Sequence, residues 1–195
     1  GVVKKYLGWE NVIPYQAASA FMNEMEAFLD DQVQTMLEDQ NYAEAFELTS
    51  HVFMEAGGVD LDDSDGGLGM LMERCAEIWS EVLDCADART ERRIYDWVTR
   101  RLDGELTDYM EDYMEQVLMS RFSGREYLEE KLAYTRQKAQ EEKRDADSWT
   151  ARYHTQKWAM YHIPLLEEAG TSGQEILSYC KEHWDCAKVR EYYID

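Results

Sequence analysis

The sequence contains little proline, few basic residues and no long apolar run. Two prolines occur among 195 residues, and because proline interrupts helices, this scarcity favours a helical chain. No run of 18 apolar residues is present, so we expect no membrane-spanning helix and no membrane partner. Lys and Arg number 20 against 41 Asp and Glu, which gives a formal charge of −21. Because nucleic-acid phosphates are bound by Lys and Arg, this balance excludes direct nucleic-acid binding.

Cysteine is scarce as well. The chain has only four cysteines, too few for a disulfide scaffold, and they lie within apolar helical patterns: Cys75, Cys85, Cys180 and Cys186. We interpret them as reduced, mostly buried thiols, which predicts a cytoplasmic protein. The first residues, GVVKKY, are too short and too polar a stretch for a signal peptide. Residues 1–13 are interpreted as an N-terminal extension or linker remnant.

Motifs that would indicate catalysis or metal binding are missing from the sequence. No CxxC or HExxH pattern occurs, and the four histidines have no spacing that pairs them as ligands. The run Gly66–Gly69 lacks the lysine of a phosphate-binding loop. We therefore predict a protein that is not an enzyme and that has no cofactor and no metal site.

An acidic, glycine-rich loop over residues 57–69, GGVDLDDSDGGLG, is the exception to test. With Gly66 at the sixth position of an EF-hand calcium loop, Leu61 falls first and Met72 twelfth, where carboxylate ligands are needed. We interpret the loop as a polar turn whose Ser64 or Asp65 caps the next helix. The alternative function is a metal-dependent enzyme or cation-binding regulator that uses the loop carboxylates: Asp60, Asp62, Asp63 and Asp65.

Apolar residues recur every three or four positions along most of the chain, which indicates amphipathic helices. The first helix is predicted from Pro14 to about Glu38, and the polar turn Asp39–Asn41 folds it back onto a second helix. Capping boxes at Ser123–Glu126 and Ser172–Glu175 predict the starts of two later helices.

Three further positions predict helix boundaries. Thr90, with Arg93 three residues later, indicates a helix start, and Pro164 should kink its helix or mark its last turns. The segment Trp184–Ile194 is expected to add a short final helix. Because no stretch alternates with period two, the predicted fold is all-α, with eight or nine helices over residues 14–195. We expect antiparallel hairpins stacked as a tetratricopeptide-like α-solenoid, with a globular bundle as the alternative.

Charge is distributed unevenly along the chain. Between Glu10 and Asp87 there are 19 acidic residues and a single basic one, Arg74. Such a segment forms either a well-solvated surface or a face that attracts a basic partner and associates in a salt-sensitive way.

Aromatic residues are concentrated in the last third of the chain. The cluster consists of Trp149, Tyr153, Trp158, Tyr161 and His162, most of them three or four positions apart. Core packing between hairpins accounts for such spacing, but amphipathic aromatics at the edge of a groove also anchor bound peptides. We therefore take these five residues as the candidate partner-binding site.

Two stretches resemble a known family. Asp62–Gly66 leading into a helix is similar to a segment that follows the zinc finger in bacterial SWIM zinc-finger proteins. The ending from Tyr153 to Ile194, with Trp158, the turn Leu165–Gly170 and His183–Trp184, resembles the tail of some members. The CxC and CxH zinc ligands of that family do not occur in this chain. The resemblance implies a tetratricopeptide-like helical region, with any zinc finger lying upstream, and a role in protein–protein interaction.

The sequence as a whole predicts a non-catalytic scaffold for protein–protein interaction. Its expected partner is a protein or peptide segment, and the acidic charge favours a basic one. A homodimer is left open by the sequence, as are the identity of the partner and the face that is concave.

Overall fold

The computed structural model describes residues 5–6, 13–59, 66–104, 106, 110–143 and 149–194. Over these ranges, nine helices are described from end to end and no strand is present, which confirms the all-α prediction. The chain divides into two compact units, Gly1–Arg121 and Phe122–Asp195. One helical-repeat domain over residues 14–195 stays a prediction. No helix in the described ranges is both long and apolar enough to cross a membrane.

Five helices of the first unit are described from end to end. Helix α3 packs against α1, α2 and α5, and α4 packs against α2 and α5. The bounds are α1 Tyr15–Glu38, α2 Tyr42–Gly57, α3 Gly67–Cys85, α4 Ala88–Leu102 and α5 Met110–Arg121.

The predicted hairpin of α1 and α2 is confirmed, because the two helices pack on each other across a tight polar turn. Gln40 adopts a left-handed φ of 61°, which reverses the chain. The N–H groups of Gln40 and Asn41 donate to the carbonyls of Leu37 and Met36, at 3.0 and 2.7 Å. These bonds satisfy carbonyls that the end of α1 would otherwise leave unpaired.

The core of the first unit is built around Trp79 on α3. Its side chain is fully buried, and its indole N–H donates to Ser50 Oγ at 3.1 Å. The rings of Phe53 and Trp97 lie 4.8 and 5.5 Å from it, centroid to centroid. Such a cluster buries large apolar area and also satisfies its polar N–H.

Part of the predicted extension, residues 1–13, packs on α1. Lys5 forms an ion pair with Glu24 at 2.6 Å, and the ring of Tyr6 meets Phe21 edge to face, with the centroids 5.7 Å apart. Ile13 is fully buried. The described residues of this stretch, 5–6 and 13, are therefore part of the first unit, and the assignment of 1–13 as an extension or linker remnant stays a prediction.

The second unit contains four helices. Helices α6 and α7 form its main hairpin, and α8 and α9 pack against α7 and each other. Pro164 lies within α7, four residues before its end, so the expectation that it marks the last turns is met. The short final helix is confirmed as α9. The bounds are α6 Arg125–Lys143, α7 Trp149–Glu168, α8 Gly173–Glu182 and α9 Ala187–Ile194.

The helix starts confirm one predicted cap and correct another. Ser172 and Glu175 form the predicted reciprocal capping box at the start of α8. At the start of α4, however, the cap is Asp87, whose Oδ1 accepts the Thr90 N–H at 2.8 Å, so the prediction of Thr90 was wrong. A carboxylate preceding the helix accepts this N–H and also interacts favourably with the helix dipole. Helix α6 begins at Arg125 after Gly124, which has a left-handed φ of 117°.

All four cysteines are free thiols, as predicted. Cys75, Cys180 and Cys186 are buried, whereas Cys85 is exposed at the end of α3. Burial raises the pKa of Cys75 to about 12, so this thiol stays protonated and unreactive near neutral pH.

Candidate functional site

The acidic loop carboxylates, Asp60, Asp62, Asp63 and Asp65, lie outside the described residues. Helix α3 begins directly after Gly66, which has a left-handed φ of 74°. Gly66 is the residue that precedes the helix, and Ser64 and Asp65, which were predicted to cap it, lie outside the described residues. Among the residues that the structure does describe, no three His, Cys, Asp or Glu side chains are arranged to hold a metal ion.

The five residues of the predicted aromatic site are separated by the structure. Trp149 and Tyr153 are 77% and 45% exposed, and their rings stack at a centroid distance of 5.8 Å. Trp158 and His162 are buried. Tyr161 is half-buried and meets the ring of Trp158 edge to face. Trp158 and His162 therefore cannot act as surface anchors, contrary to the sequence-based assignment.

Helical geometry explains this separation. The buried face of α7 contains Ala151, Thr155, Trp158 and His162, which follow one another at steps of four, three and four. Trp149 and Tyr153 are also four apart, but they are displaced from that face by two positions, or about 200° around the helix. The spacing between neighbouring aromatic residues predicted a single cluster, but these residues lie on two different faces of α7.

A groove of about 510 Å³ runs beside the exposed pair and is called here the aromatic groove. One wall belongs to α7 and the other to the segment that leads into α9. Gln156 Oε1 accepts the backbone N–H of Lys188 at 3.0 Å, which ties the start of α9 to α7. The lining residues are Trp149, Arg152, Tyr153, Gln156, Asp185, Cys186 and Ala187. Sequence reasoning missed the second wall, because no local pattern links residues 185–187 to α7.

More aromatic surface lies near the C-terminus of the second unit. Trp184 and Tyr193 are 40% and 46% exposed, and their rings meet edge to face at 5.5 Å. The hydroxyl of Tyr192 donates to Glu167, which raises the pKa of this tyrosine to about 12. Trp184 does not line the aromatic groove, so it offers an exposed tryptophan for comparison with Trp149.

The first unit presents a groove of a different kind. A cavity of about 450 Å³ lies between α3 and α5 and is called here the acidic groove. Arg74 forms ion pairs with two glutamates that line this groove, with nitrogen–oxygen distances of 3.2 Å to Glu77 and 3.0 Å to Glu81. It also forms an ion pair with Asp30 on α1 at 3.0 Å. These hydrogen bonds raise the pKa of Arg74 above its ordinary value against the opposing effect of burial. The groove is lined by Glu73, Ala76, Glu77, Ser80, Glu81, Tyr113, Gln116, Val117 and Ser120.

Buried polar side chains form a third feature, inside the second unit. The imidazole of His162 on α7, the phenol ring of Tyr179 on α8 and the imidazole of His183 follow one another with centroid distances of 4.5 Å. His162 Nδ1 lies 2.8 Å from Thr135 Oγ1 on α6. Burial, assisted by the nearby charges of Arg136 and His183, lowers the pKa of His162 to about 4, so this ring is neutral at pH 7.

Comparison of this chain with protein-family models, curated proteins and solved structures finds no match. The candidate binding surfaces are therefore compared by their shape and their exposed side chains. The aromatic groove exposes ring faces, and the acidic groove exposes carboxylates.

Proposed function

We propose that this protein is a non-catalytic scaffold for protein–protein interaction and that its aromatic groove binds a basic segment of a partner protein. The observation that carries the proposal is the stacked and solvent-exposed pair of Trp149 and Tyr153 at the edge of that groove. Aromatic side chains with a polar tip are the residue types that most often dominate the energy of protein interfaces.

A protein segment suits the groove because of its length and its two walls. The wall on α7 extends from Trp149 to Gln156, about two helical turns. The opposite wall, over residues 185–187, is held in place by the bond between Gln156 and Lys188. A prearranged groove loses little conformational entropy on binding, so an extended or helical segment can be bound without reorganising the site.

A basic segment suits it because of charge. The chain carries a formal charge of −21, which raises the local concentration of cationic partners and their rate of encounter. The faces of tryptophan and tyrosine rings also attract Lys and Arg side chains, by about 0.5–1 kcal/mol at exposed sites. The two effects act at different ranges, the net charge on encounter and the rings on contact.

The finer features of the sequence analysis belong to the same proposal. In the first unit, α1 packs on α3, α2 on α4 and α3 on α5, so helices contact the next-but-one helix as they do in stacked repeats. This pattern supports a tetratricopeptide-like arrangement. A relation to the helical region of bacterial SWIM zinc-finger proteins and a cytoplasmic location are proposed on the resemblance and on the free thiols.

The test uses fluorescence anisotropy with a labelled peptide of about 12 residues in which Lys and Arg alternate with Gly. We expect binding that is about tenfold tighter at about 20 mM than at about 200 mM NaCl, because salt screens the attraction. Trp149→Ala and Tyr153→Ala should each weaken it about tenfold, since each removes an aromatic anchor.

Trp184→Ala is the matched control, because Trp184 is an exposed tryptophan in the same unit but outside the groove. It should bind like the unmodified protein. If Trp149→Ala and Trp184→Ala weaken peptide binding equally, the assignment of the binding site to the aromatic groove is wrong. If a peptide with Glu in place of every Lys and Arg binds as tightly as the basic peptide, the proposal of a basic partner is wrong. Light scattering that shows a dimer, lost in Trp149→Ala, would assign the groove to a second copy of the chain instead.

A further inference from the structure

We propose that a cavity between α6, α7 and α8 binds a small monocarboxylate that also carries an amide or hydroxyl group. The cavity has a volume of about 380 Å³ and lies in the second unit. It is lined by Arg136 from α6, by His162 and Leu166 from α7 and by Glu175, Tyr179 and Glu182 from α8. Its size is within the range of about 300–1,000 Å³ that is usual for small-molecule sites. This site is separate from the proposed protein contact and does not depend on it.

Two buried polar groups in its wall lack hydrogen-bond partners. His162 and Tyr179 are 2% and 4% exposed, and within the described part of the chain neither His162 Nε2 nor the Tyr179 hydroxyl has a partner. A buried polar group without a hydrogen bond typically costs about 1–3 kcal/mol. Both residues line the same cavity, but these two atoms are shielded from solvent, so a ligand reaches them only when the rings shift, and bonding to them would then recover this cost.

The Thr135 hydroxyl lies 2.7 Å from the carbonyl of Lys131 and 2.8 Å from His162 Nδ1. When its hydrogen goes to the carbonyl, its oxygen accepts a proton carried by His162 Nδ1. With the proton on Nδ1, Nε2 of the neutral ring is an acceptor. An amide or a hydroxyl group both donates and accepts, so either is able to bond to His162 Nε2 and to the Tyr179 hydroxyl together.

The charged side chains of the cavity wall indicate which group the other end of the ligand carries. Arg136 is exposed, forms no ion pair within the described residues and lines the same cavity as His162 and Tyr179. A guanidinium group binds a carboxylate through paired hydrogen bonds. Glu175 and Glu182 in the same wall disfavour a second negative charge. The complementary ligand is therefore a monoanion.

The probe for this site is N-acetylglycine, which joins one amide to one carboxylate. Binding is followed by the ¹⁵N shift of His162 Nε2, which responds directly to a hydrogen bond at that atom. We expect a saturable shift with a dissociation constant of about 1–10 mM, as befits so small a ligand. Butyrate, which lacks the amide, and N-methylacetamide, which lacks the carboxylate, should each bind about tenfold more weakly.

Two variants locate the site. Arg136→Gln changes an exposed side chain and should weaken N-acetylglycine binding about tenfold. Tyr179→Phe removes only the unpartnered hydroxyl, so the fold should be kept while binding falls by a similar factor. Arg152→Gln, in the aromatic groove, is the control and should bind normally. No saturable shift up to about 50 mM probe, or unchanged binding in Arg136→Gln, would overturn the proposal.

Discussion

The two units of this protein place charge and aromatic side chains in opposite ways. The first unit carries 27 acidic and 9 basic residues, whereas the second carries 14 and 11. In the first unit Trp79 and Phe53 are fully buried; in the second, Trp149 and Trp184 are exposed. The first unit therefore carries most of the negative charge over a core with buried aromatic rings, whereas the second unit exposes Trp149 and Trp184 although it buries Trp158.

This difference bears on the proposed function, because charge and exposed rings contribute to binding in different ways. A dense acidic surface acts over a Debye length of about 8–10 Å and mainly changes association rates. Exposed rings act only on contact and mainly change dissociation rates. In the proposed function, the charge of the first unit would act on the rate of encounter with a basic segment, and the exposed rings of the second unit would act on contact with it.

Substitution of a buried tryptophan should change the free energy of unfolding far more than substitution of an exposed one. Trp79→Ala should lower the free energy of unfolding by about 3–5 kcal/mol, because it empties a fully buried site and leaves Ser50 Oγ without its donor. Trp149→Ala should change it by less than about 0.5 kcal/mol, since this ring is already in solvent. Urea denaturation followed by circular dichroism measures both. Similar values for the two variants would remove the contrast between the units.

The next effect is a pH dependence that originates in the second unit. The pKa of His162 is about 4 in the folded protein, against 6.5 for the unperturbed group. Between these values the unfolded chain binds a proton that the folded one does not, so this contribution to stability is complete above pH 6.5 and is lost as the pH falls toward 4. The loss amounts to at most about 3 kcal/mol.

Urea denaturation at pH 7 and at about pH 4.5 measures the change in unfolding free energy between the two pH values. Carboxylates that titrate in this range also contribute to that change. In His162→Gln the difference in unfolding free energy between the two pH values should shrink, because the buried imidazole is gone. His51→Gln is the control in the first unit, since His51 is exposed. If the unfolding free energy changes by the same amount between the two pH values in His162→Gln and in the unmodified protein, the pH dependence does not originate in His162.

The helices were predictable from sequence because each has a continuous apolar stripe that must be buried. The hairpin of α1 and α2 and the capping box at Ser172 followed from local patterns. The cap at Asp87 was missed because Thr90 is itself a common capping residue, and only the backbone path shows which of the two precedes the helix. Local spacing predicts where a helix begins better than which residue caps it.

The candidate site was predictable only in part. Spacing along α7 put Trp149 and Trp158 in one cluster, but the side that α6 and α8 cover is set by tertiary packing. Trp158 is covered by Tyr134, whose ring lies 5.5 Å away, whereas Trp149 is left in solvent. The cavity beside His162 and Arg136 joins residues from three helices, and no local pattern links positions so far apart in sequence.

A third effect compares glycines in the two units. A Cβ atom on Gly57 would lie 2.2 Å from Sδ of Met110, which is itself buried. Gly57→Ala should therefore lower the unfolding free energy by about 1–3 kcal/mol through overpacking. Gly173→Ala, at the start of α8 with nothing within 4 Å of the added Cβ, should be neutral or stabilising by about 0.5 kcal/mol. Thermal denaturation of both variants measures the difference, and equal melting temperatures would contradict it.

The smallest expected effect tests the charge of the first unit directly. Arg74 bridges Asp30 on α1 to Glu77 and Glu81 on α3, so Arg74→Gln leaves three carboxylates facing one another. At about 20 mM NaCl this variant should lose about 1 kcal/mol of unfolding free energy, and about 0.5 M NaCl should remove most of the loss by screening. Arg125→Gln is the matched control in the second unit, because the Arg125 side chain is 91% exposed and, among the residues that the structure describes, pairs only with Glu129. Its effect should be negligible at both salt concentrations, since single exposed ion pairs contribute little. If the two arginine variants respond to salt alike, the acidic surface of the first unit is too well solvated to act as a field, and the proposed binding of a basic segment would depend on the aromatic groove alone.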